Sequence, residues 1–388
     1  MLVLILVLGV AYLGVEAAQS RRRVTLPEVP GAWAVGRRTF SWTDAGRPDP
    51  LASGPARSRQ VSVWMWYPAR AGGGHPAPYA PGRWTDLHLP GPIGLGETSF
   101  DRIRVRSIAG ATPAAGPHPL VVLAQGLGLA AVQYQALAET LASNGYVVAG
   151  YTPTSSASVT VVGGRVVHQS TAGSLPDAGL DTPSGRAAVT RLLRTWVADL
   201  RFVARRARSV AGNGLGLEVA PGVLLVGHSF GGAGALEACR RSPDCLGAVN
   251  LDGLDAGEVT RTGLSVPVLL LGHDGSCVTG DCVPRSAVDR NDRATARAMV
   301  AAGSGPAWSV TLAWTEHFDV TDYAAYRLAL PLRRLLPLGP RDGRDSLRTT
   351  ERCVLDLAAV ATGVQERWGC LAGRLPGARS THWPRGAR

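Results

Sequence analysis

The stretch Val223 to Gly231 reads VLLVGHSFG, and it decides the fold class. Its first four residues form a short apolar run typical of a buried strand, and residues 227–231 fit the pattern G-x-S-x-G. A helix-compatible segment, Ala233–Arg241, follows. A serine at a sharp turn between a buried strand and a helix is typical of a nucleophile elbow, where glycines on both sides allow close backbone approach. We therefore predict that Ser229 is a nucleophile.

Short apolar runs and helical patterns alternate on both sides of this turn. The strand-like runs are Leu120–Ala124, Tyr146–Tyr151, Leu246–Leu251, Val266–Leu271 and Trp308–Trp314, and the clearest helical patterns are Gln133–Ser143 and Arg186–Val210. Short buried strands that alternate with helices predict βαβ units and a mostly parallel sheet covered on both faces. We therefore predict an α/β fold of the α/β-hydrolase type, with reactive groups at the carboxyl ends of the strands.

A serine hydroxyl needs a base, and in this fold the base is a histidine that comes last along the chain, after the acid. Three histidines follow Ser229: His273, His317 and His382. His382 lies in a basic tail, and His273 ends a strand-like run. His317 comes three residues after the last strand-like run, where the final member of a triad belongs. We predict that His317 is the base.

Two acidic residues could orient that base. Asp252 follows the strand directly after the nucleophile helix, and Asp274 follows the next strand, which is the commoner position in this fold. Their spacing in the sequence does not separate them.

Stabilisation of an oxyanion requires two backbone N–H groups near the nucleophile. One is predicted to come from Phe230, the residue after Ser229, and the second from the loop after an earlier strand. Gln125–Gly128 (QGLG) occupies that place, with Leu127 as the predicted donor.

Four segments together resemble the platelet-activating-factor acetylhydrolase family, of the secreted type with bacterial relatives. They are PLVVLAQGLGLAAVQYQALAETLASNGYVVAGY (residues 119–151), GHSFGGAGALEAC (227–239), AVNLDG (248–253) and TEHFDVTDY (315–323). The resemblance runs from about Trp33 to Val360. These motifs combined are much more specific than the serine pattern alone.

The resemblance implies a serine esterase that removes a short acyl chain from a phospholipid, a lipid or another small ester, with no cofactor and no metal. It implies Ser229 as nucleophile, Asp252 as acid and His317 as base, with Leu127 and Phe230 as oxyanion donors. Asp274 then remains the alternative acid.

The sequence departs from this family at two places near the expected pocket. Relatives usually carry His-Gly-Leu-Gly where this chain has Gln125 first, and a histidine within the stretch where it has Thr152-Pro153-Thr154. Residues 152–185 are polar, contain glycine and proline, and are long for a simple connection. We predict that they form a cap over the site.

Composition bounds the possible partners. The chain has 388 residues, a formal net charge of +11, and forty basic residues that are all arginine. The arginines are scattered, and the densest group, Arg201, Arg205, Arg206 and Arg208, lies in an amphipathic helical pattern and is expected to be a solvated face. We therefore expect no nucleic-acid partner.

The N-terminus and the cysteines bear on the compartment. Residues 1–20 are mostly apolar and are predicted to be a signal or membrane-anchor segment, with membrane association possible through it. Six cysteines fall in three sequence-near pairs, Cys239 with Cys245, Cys277 with Cys282 and Cys353 with Cys370, which suits up to three local disulfides in an oxidising compartment. We predict a secreted or membrane-anchored, extracytoplasmic protein, with a hydrolase domain over 24–375 and a basic flexible tail over 376–388.

Two rival interpretations remain. One is a polyester hydrolase or cutinase-like esterase that uses Asp274, and the other is a non-catalytic binding protein on the hydrolase fold. A binding protein of that kind should lack a member of the triad, whereas this sequence has a candidate for each.

Overall fold

A computed structural model of the protein describes residues 2–27, 30–55, 57–72, 74–89, 94, 96–176, 182–326, 328–329, 336–370 and 377–383. The described helices are α1 (Leu2–Ser20), α2 (Gln135–Ser143), α3 (Pro183–Val210), α4 (Phe230–Arg240), α5 (Val259–Thr262), α6 (Ala287–Ala302) and α7 (Gly343–Ala361). The described strands are β1 (Val24–Thr25), β2 (Ala34–Pro48), β3 (Ser58–Ala69), β4 (Ile103–Arg104), β5 (Ile108–Ala109), β6 (Pro117–Ala124), β7 (Val147–Thr152), β8 (Val159–Val162), β9 (Arg165–His168), β10 (Glu218–His228), β11 (Cys245–Leu251), β12 (Val268–His273), β13 (Ala307–Leu312) and β14 (Ala378–Trp383).

Within the described residues, one ten-stranded sheet runs in the order β14-β13-β12-β11-β10-β6-β7-β3-β2-β5. The six strands from β13 to β7 in this order are parallel to one another. Strands β14, β3 and β2 join it antiparallel. The predicted α/β class with a mostly parallel sheet is confirmed.

Both faces of the sheet are buried. Along β6 the side chains of Val121 and Leu123 belong to one apolar cluster, and those of Leu120 and Val122 belong to another, because alternate residues of a strand point to opposite faces. Helices α2 and α7 cover the first face, and α3 and α4 cover the second. This two-sided burial explains why the central strands are continuous apolar runs.

The parallel register brings the carboxyl ends of the central strands to one edge of the sheet. Gly227 of β10 lies opposite Ala124 of β6, and His228 lies opposite Leu251 of β11. Leu251 in turn lies opposite Leu271 of β12. The loops that follow β6, β10, β11 and β12 therefore meet at this edge.

The three cysteine pairs are disulfides in the structure, as predicted: Cys239–Cys245, Cys277–Cys282 and Cys353–Cys370. The first links the end of α4 to the start of β11, so it closes the connection between the helix after Ser229 and the next strand.

The segment predicted as a cap contains a hairpin in its described part. Thr152 ends β7, β8 and β9 form a hairpin, and α3 begins at Pro183, while residues 177–181 lie outside the described residues. The amide of Gly128 donates to the carbonyl of Ser156 at 2.9 Å, and the amide of Ser158 donates back to the Gly128 carbonyl at 2.9 Å. The segment is thus tied to the loop that follows β6.

The predicted flexible tail is wrong for residues 378–383. These residues form β14, which pairs antiparallel with β13 from Ala378 opposite Leu312 to Trp383 opposite Ala307. The physical reason is that β13 would otherwise present an open edge with unpaired backbone groups. His382 also stacks on Trp308, with ring centroids 5.6 Å apart.

Helix α1 covers nearly all of the predicted signal or anchor segment, and several of its apolar side chains, including Val3, Leu6 and Leu8, are exposed. In the described part of the chain, no helix has the length and apolar character to cross a membrane.

Candidate active site

Ser229 occupies the turn between β10 and α4, with a φ of 55°. That left-handed backbone conformation is uncommon for a residue with a side chain, and it is the strained geometry of a nucleophile elbow. A side chain on Gly227 would overlap the Gly231 carbonyl, and one on Gly231 would overlap the Gln125 carbonyl. The two glycines are therefore required for the close packing of β10, α4 and the loop after β6.

Three predicted residues meet at the carboxyl edge of the sheet. The Nε2 atom of His317 lies 3.0 Å from the hydroxyl of Ser229, and its Nδ1 atom lies 2.6 Å from Oδ2 of Asp252. Ser229 and His317 are half-buried, whereas Asp252 is buried. Residues far apart in the chain thus form one hydrogen-bonded series that begins at the serine.

Asp252 receives a second imidazole. Nδ1 of His273 lies 3.0 Å from Oδ2 of Asp252, the same oxygen that His317 contacts. Within the described residues, Oδ1 of Asp252 is buried without a hydrogen-bond partner. Burial alone would raise the pKa of Asp252, but the hydrogen bonds from His273 and His317 outweigh it and hold that pKa well below its usual range. Asp252 is therefore a carboxylate at neutral pH.

His273 joins the two acidic groups around the site. Its Nε2 atom lies 3.7 Å from a carboxylate oxygen of Glu316, the residue before His317. Burial lowers the pKa of His273, but the hydrogen bond and charge of Asp252 exceed that effect and raise the pKa above its ordinary value.

The alternative acid, Asp274, points elsewhere. It is exposed, and its Oδ2 atom accepts a hydrogen bond of 3.3 Å from the backbone amide of Trp314. The carboxylate in contact with His317 is that of Asp252.

The two amides predicted as oxyanion donors lie on either side of Ser229. Phe230 is the first residue of α4, and the loop that carries Leu127 packs against the serine: a Cβ on Gly126 would lie 3.2 Å from the Cβ of Ser229. Within the described residues, the backbone N–H groups of Leu127 and Phe230 have no hydrogen-bond partner. A helix N-terminus and an adjacent loop amide suit a developing negative charge.

The two departures from the family pattern fill buried positions beside this loop. Gln125 is fully buried and donates through Nε2 to the carbonyl of Leu123 at 3.1 Å. Thr152 accepts a hydrogen bond of 3.0 Å from the amide of Ala131. Both side chains thus hold backbone near the serine turn.

Sequence reasoning missed three contributors: Tyr134, His228 and Asp322. His228 fills the variable position of G-x-S-x-G and is fully buried, between the hydroxyl of Tyr134 at 2.7 Å and the carbonyl of His317 at 3.0 Å. Asp322 accepts hydrogen bonds from the amides of Gln135 at 2.9 Å and Ala136 at 3.0 Å, at the start of α2. The only sequence signal was a histidine in the elbow, since its partners lie far away in the chain.

Metal ligands are not grouped in the described residues: no three or more His, Cys, Asp or Glu side chains are arranged to hold an ion.

Comparison with known proteins gives a match in structure. No protein-family model matches the chain, and no curated protein matches it. A solved structure of similar fold is the ferulic acid esterase from Streptomyces cinnamoneus at 2.4 Å resolution, which is 27% identical over 87% of this chain and 92% of that chain, with a TM-score of 0.70.

Sheet order, serine turn and this likeness together define an α/β-hydrolase fold. The likeness supports an esterase of that class. The resemblance to platelet-activating-factor acetylhydrolases stays a prediction.

Proposed function

We propose that the protein is a serine carboxylic ester hydrolase in which Ser229 is the nucleophile, His317 the general base and Asp252 the acid that orients the base. The observation that carries the proposal is the continuous series Ser229–His317–Asp252, with contacts of 3.0 Å and 2.6 Å. Because the Asp252 carboxylate can only accept, Nδ1 of His317 carries a proton and Nε2 is free to accept the serine proton.

In the first half of the reaction, Ser229 Oγ attacks the ester carbonyl while its proton passes to His317 Nε2. The carbonyl oxygen becomes an oxyanion, which the amides of Leu127 and Phe230 bind. Collapse of the tetrahedral intermediate breaks the ester bond, and the alcohol leaves with the proton from His317. Asp252 stabilises the transient imidazolium throughout.

In the second half, water attacks the acyl-enzyme. His317 takes a proton from that water, a second oxyanion forms in the same place, and the carboxylic acid departs as Ser229 recovers its proton. Every step uses groups of this chain and water alone.

For the substrate we propose a short acyl ester of a lipid, a phospholipid or another small alcohol, which the acetylhydrolase-like segments support. The likeness to a ferulic acid esterase favours a second candidate, an ester of a phenolic acid. The two differ in the acyl side, since the first is small and aliphatic and the second carries an aromatic ring.

A panel of esters separates these substrates. Purified protein is assayed on p-nitrophenyl acetate, butyrate and octanoate, on an acetylated phospholipid and on methyl ferulate, with Ser229→Ala as the control. Highest kcat/KM on the acetyl esters supports the first candidate, and highest kcat/KM on methyl ferulate supports the second. A folded wild-type protein that hydrolyses none of them contradicts the esterase proposal.

A fluorophosphonate probe tests the non-catalytic alternative, because it reacts only with an activated serine. We expect one equivalent of label on Ser229 and none on Ser229→Ala. An unlabelled wild-type protein would favour a binding protein on this fold.

We also propose that the protein works in an oxidising, extracytoplasmic compartment. The three disulfides support it, because such bonds persist outside the cytoplasm. Fractionation of cells that express the full chain, followed by thiol labelling without reductant, tests this; free thiols in a cytoplasmic fraction would contradict it.

A further inference from the structure

A buried series of hydrogen bonds connects the loop after β6 to the backbone of the candidate base. The amide of Gly126 donates to the hydroxyl oxygen of Tyr134 at 3.0 Å. That hydroxyl lies 2.7 Å from Nδ1 of His228, and Nε2 of His228 lies 3.0 Å from the carbonyl oxygen of His317. Tyr134 and His228 are both almost fully inaccessible to solvent.

Hydrogen-bond chemistry fixes the direction of each link. The carbonyl of His317 can only accept, so Nε2 of His228 must carry a proton and donate. Burial lowers the pKa of His228 to about 3, with His317 acting in the same direction, so the ring is neutral in the usual working range of pH. Nδ1 of His228 therefore lacks a proton and accepts from the hydroxyl of Tyr134.

We propose that Tyr134 and His228 are positioning residues that hold two parts of the active site in register: the loop that carries the Leu127 amide, and the backbone of His317. The inference rests on the function proposed above. The hydrogen bonds of the two side chains go to Gly126, to each other and to the backbone of His317, and the ring of His228 packs against the imidazole of His317 with centroids 4.7 Å apart. The two side chains act by fixing where one oxyanion donor and the base stand relative to Ser229.

Two features set this series apart from ordinary core packing. It is unidirectional, so each bond polarises the next and the links strengthen one another in a low-dielectric interior. It also joins three parts of the chain, because Gly126 follows β6, His228 is the last residue of β10 and His317 follows β13. Breaking one hydrogen bond should therefore displace both the loop of Gly126 and the backbone of His317.

A second tie joins the same elements. Asp322, five residues after His317 in the chain, accepts from the first amides of α2, and Tyr134 immediately precedes α2. The hydroxyl of Tyr79 donates to Asp322 at 3.2 Å. The loop of the base is thus fastened to the start of α2 as well as to His228.

The first test removes one hydroxyl. Tyr134→Phe keeps the ring but leaves the Gly126 amide and Nδ1 of His228 without their partner. We expect kcat on p-nitrophenyl acetate to fall about tenfold with KM nearly unchanged, since a misplacement of about 1 Å costs on the order of 100-fold and the displacement here is smaller. Tyr67→Phe is the matched control, because it also removes a tyrosine hydroxyl that bonds to backbone, here the carbonyl of Ala111 at 2.9 Å, but near the opposite edge of the sheet.

The second test separates the two nitrogens of His228. His228→Gln can place an amide N–H near the position of Nε2 and keep the bond to the His317 carbonyl, whereas His228→Asn can keep an acceptor for Tyr134 at the position of Nδ1. We expect a lower kcat in both variants. The double variant Tyr134→Phe/His228→Gln should lose less kcat than the two single losses combined, since both single changes break the bond between Tyr134 and His228. Additive losses, or kcat values equal to the wild type, overturn the proposal.

A spectroscopic test is independent of turnover. In protein labelled with ¹⁵N-histidine, His228 should stay neutral with its proton on Nε2 from about pH 5 to about pH 8, and its Nδ1 resonance should shift in Tyr134→Phe. A proton on Nδ1, titration in that range or an unshifted Nδ1 resonance overturns the proposal. If the wild type hydrolyses no ester, the proposed function fails while this measurement still decides whether the series exists.

Discussion

Two buried carboxylates near the carboxyl edge of the sheet are held in opposite ways. Asp199 of α3 binds the guanidinium of Arg59 at 2.7 Å and also contacts Arg47. Asp252 binds the imidazoles of His317 and His273 at 2.6 Å and 3.0 Å. Asp199 is fully buried and Asp252 is 6% exposed, so burial does not distinguish them.

The partners make the difference. Arginine remains charged at any working pH, and the charges of Asp199 and Asp49 raise the pKa of Arg59 further although burial alone would lower it. Arg59 therefore keeps its positive charge opposite the carboxylate of Asp199. Arg59 also donates to the carbonyl of Thr154 at 2.8 Å, near the start of the segment 152–185. Asp252 instead faces rings that can gain or lose a proton. Asp252 can therefore stabilise a positive charge that forms on His317 during the reaction, a role that the permanently charged Arg59 leaves no room for at Asp199.

Asp252→Asn gives the largest expected effect. The amide cannot hold the tautomer of His317 that accepts the serine proton, so kcat on a p-nitrophenyl ester should fall by about 10⁴-fold, as it does when a triad acid is replaced by its amide. The free energy of unfolding should change far less than the activation free energy for kcat. Circular dichroism and urea unfolding check the fold, and retention of most of the activity would remove Asp252 from the proposed triad.

Asp199→Asn should reverse this pattern. It removes one of the two buried carboxylates that Arg59 binds, and Asp49 remains 3.0 Å from the guanidinium. Breaking a buried pair costs about 3–5 kcal/mol of the free energy of unfolding, and we expect the lower end of that range because Asp49 still compensates part of the charge. The fraction that remains folded should keep a kcat close to the wild type. Urea unfolding and active-site titration with a fluorophosphonate measure the two quantities separately; a large loss of kcat per labelled site would contradict the contrast.

His273→Asn should mainly change how the free energy of unfolding depends on pH. The pKa of His273 is raised in the folded protein, so its protonated form contributes stability that is fully present below the unfolded pKa of about 6.5 and is lost as pH rises through the folded value. A hydrogen bond to a charged group is worth about 1.5 kcal/mol. Urea unfolding at about pH 5.5 and about pH 9 should therefore show that the wild type exceeds the variant in free energy of unfolding by more at the lower pH. A gap that grows with pH would have the wrong sign.

Asp274→Asn should have the smallest effect, less than about twofold on kcat, because Asp274 is exposed and bonds to the Trp314 amide. Paired with Asp252→Asn, it tests the polyester-hydrolase alternative directly. Loss of activity in Asp274→Asn but not in Asp252→Asn would establish the other acid.

Much of this arrangement was readable in the sequence because it is local. The strand, serine and helix of the elbow are contiguous, and the disulfide partners lie close together in the chain. His317 was placed by chain order after the last parallel strand. The class of fold followed from the alternation of apolar runs and helices.

The other features of the site depend on which strands and loops, distant in the sequence, lie close together in the fold. Asp252 and Asp274 follow neighbouring strands that end at one edge, so spacing alone left both open, and only the direction of each side chain separates them. Tyr134 and His228 lie 94 positions apart, and no periodicity links them. Residues 378–383 contain arginine and histidine, so their sequence predicts a polar tail. They form a strand because they pair with the open edge of β13, and the local sequence does not show that edge.

Strand β14 imposes an order of events during synthesis. A ribosome delivers Ser229, Asp252 and His317 before it delivers β14, and between them come α7 and the Cys353–Cys370 bridge. Until then β13 offers an unprotected ladder to any other extended chain. At the opposite border β5 pairs with β2 only at Gly36 and Arg37, so in the described residues the rest of β2 pairs with β3 alone. Until β14 pairs, a nascent chain of this protein therefore has an open strand edge beside its candidate base.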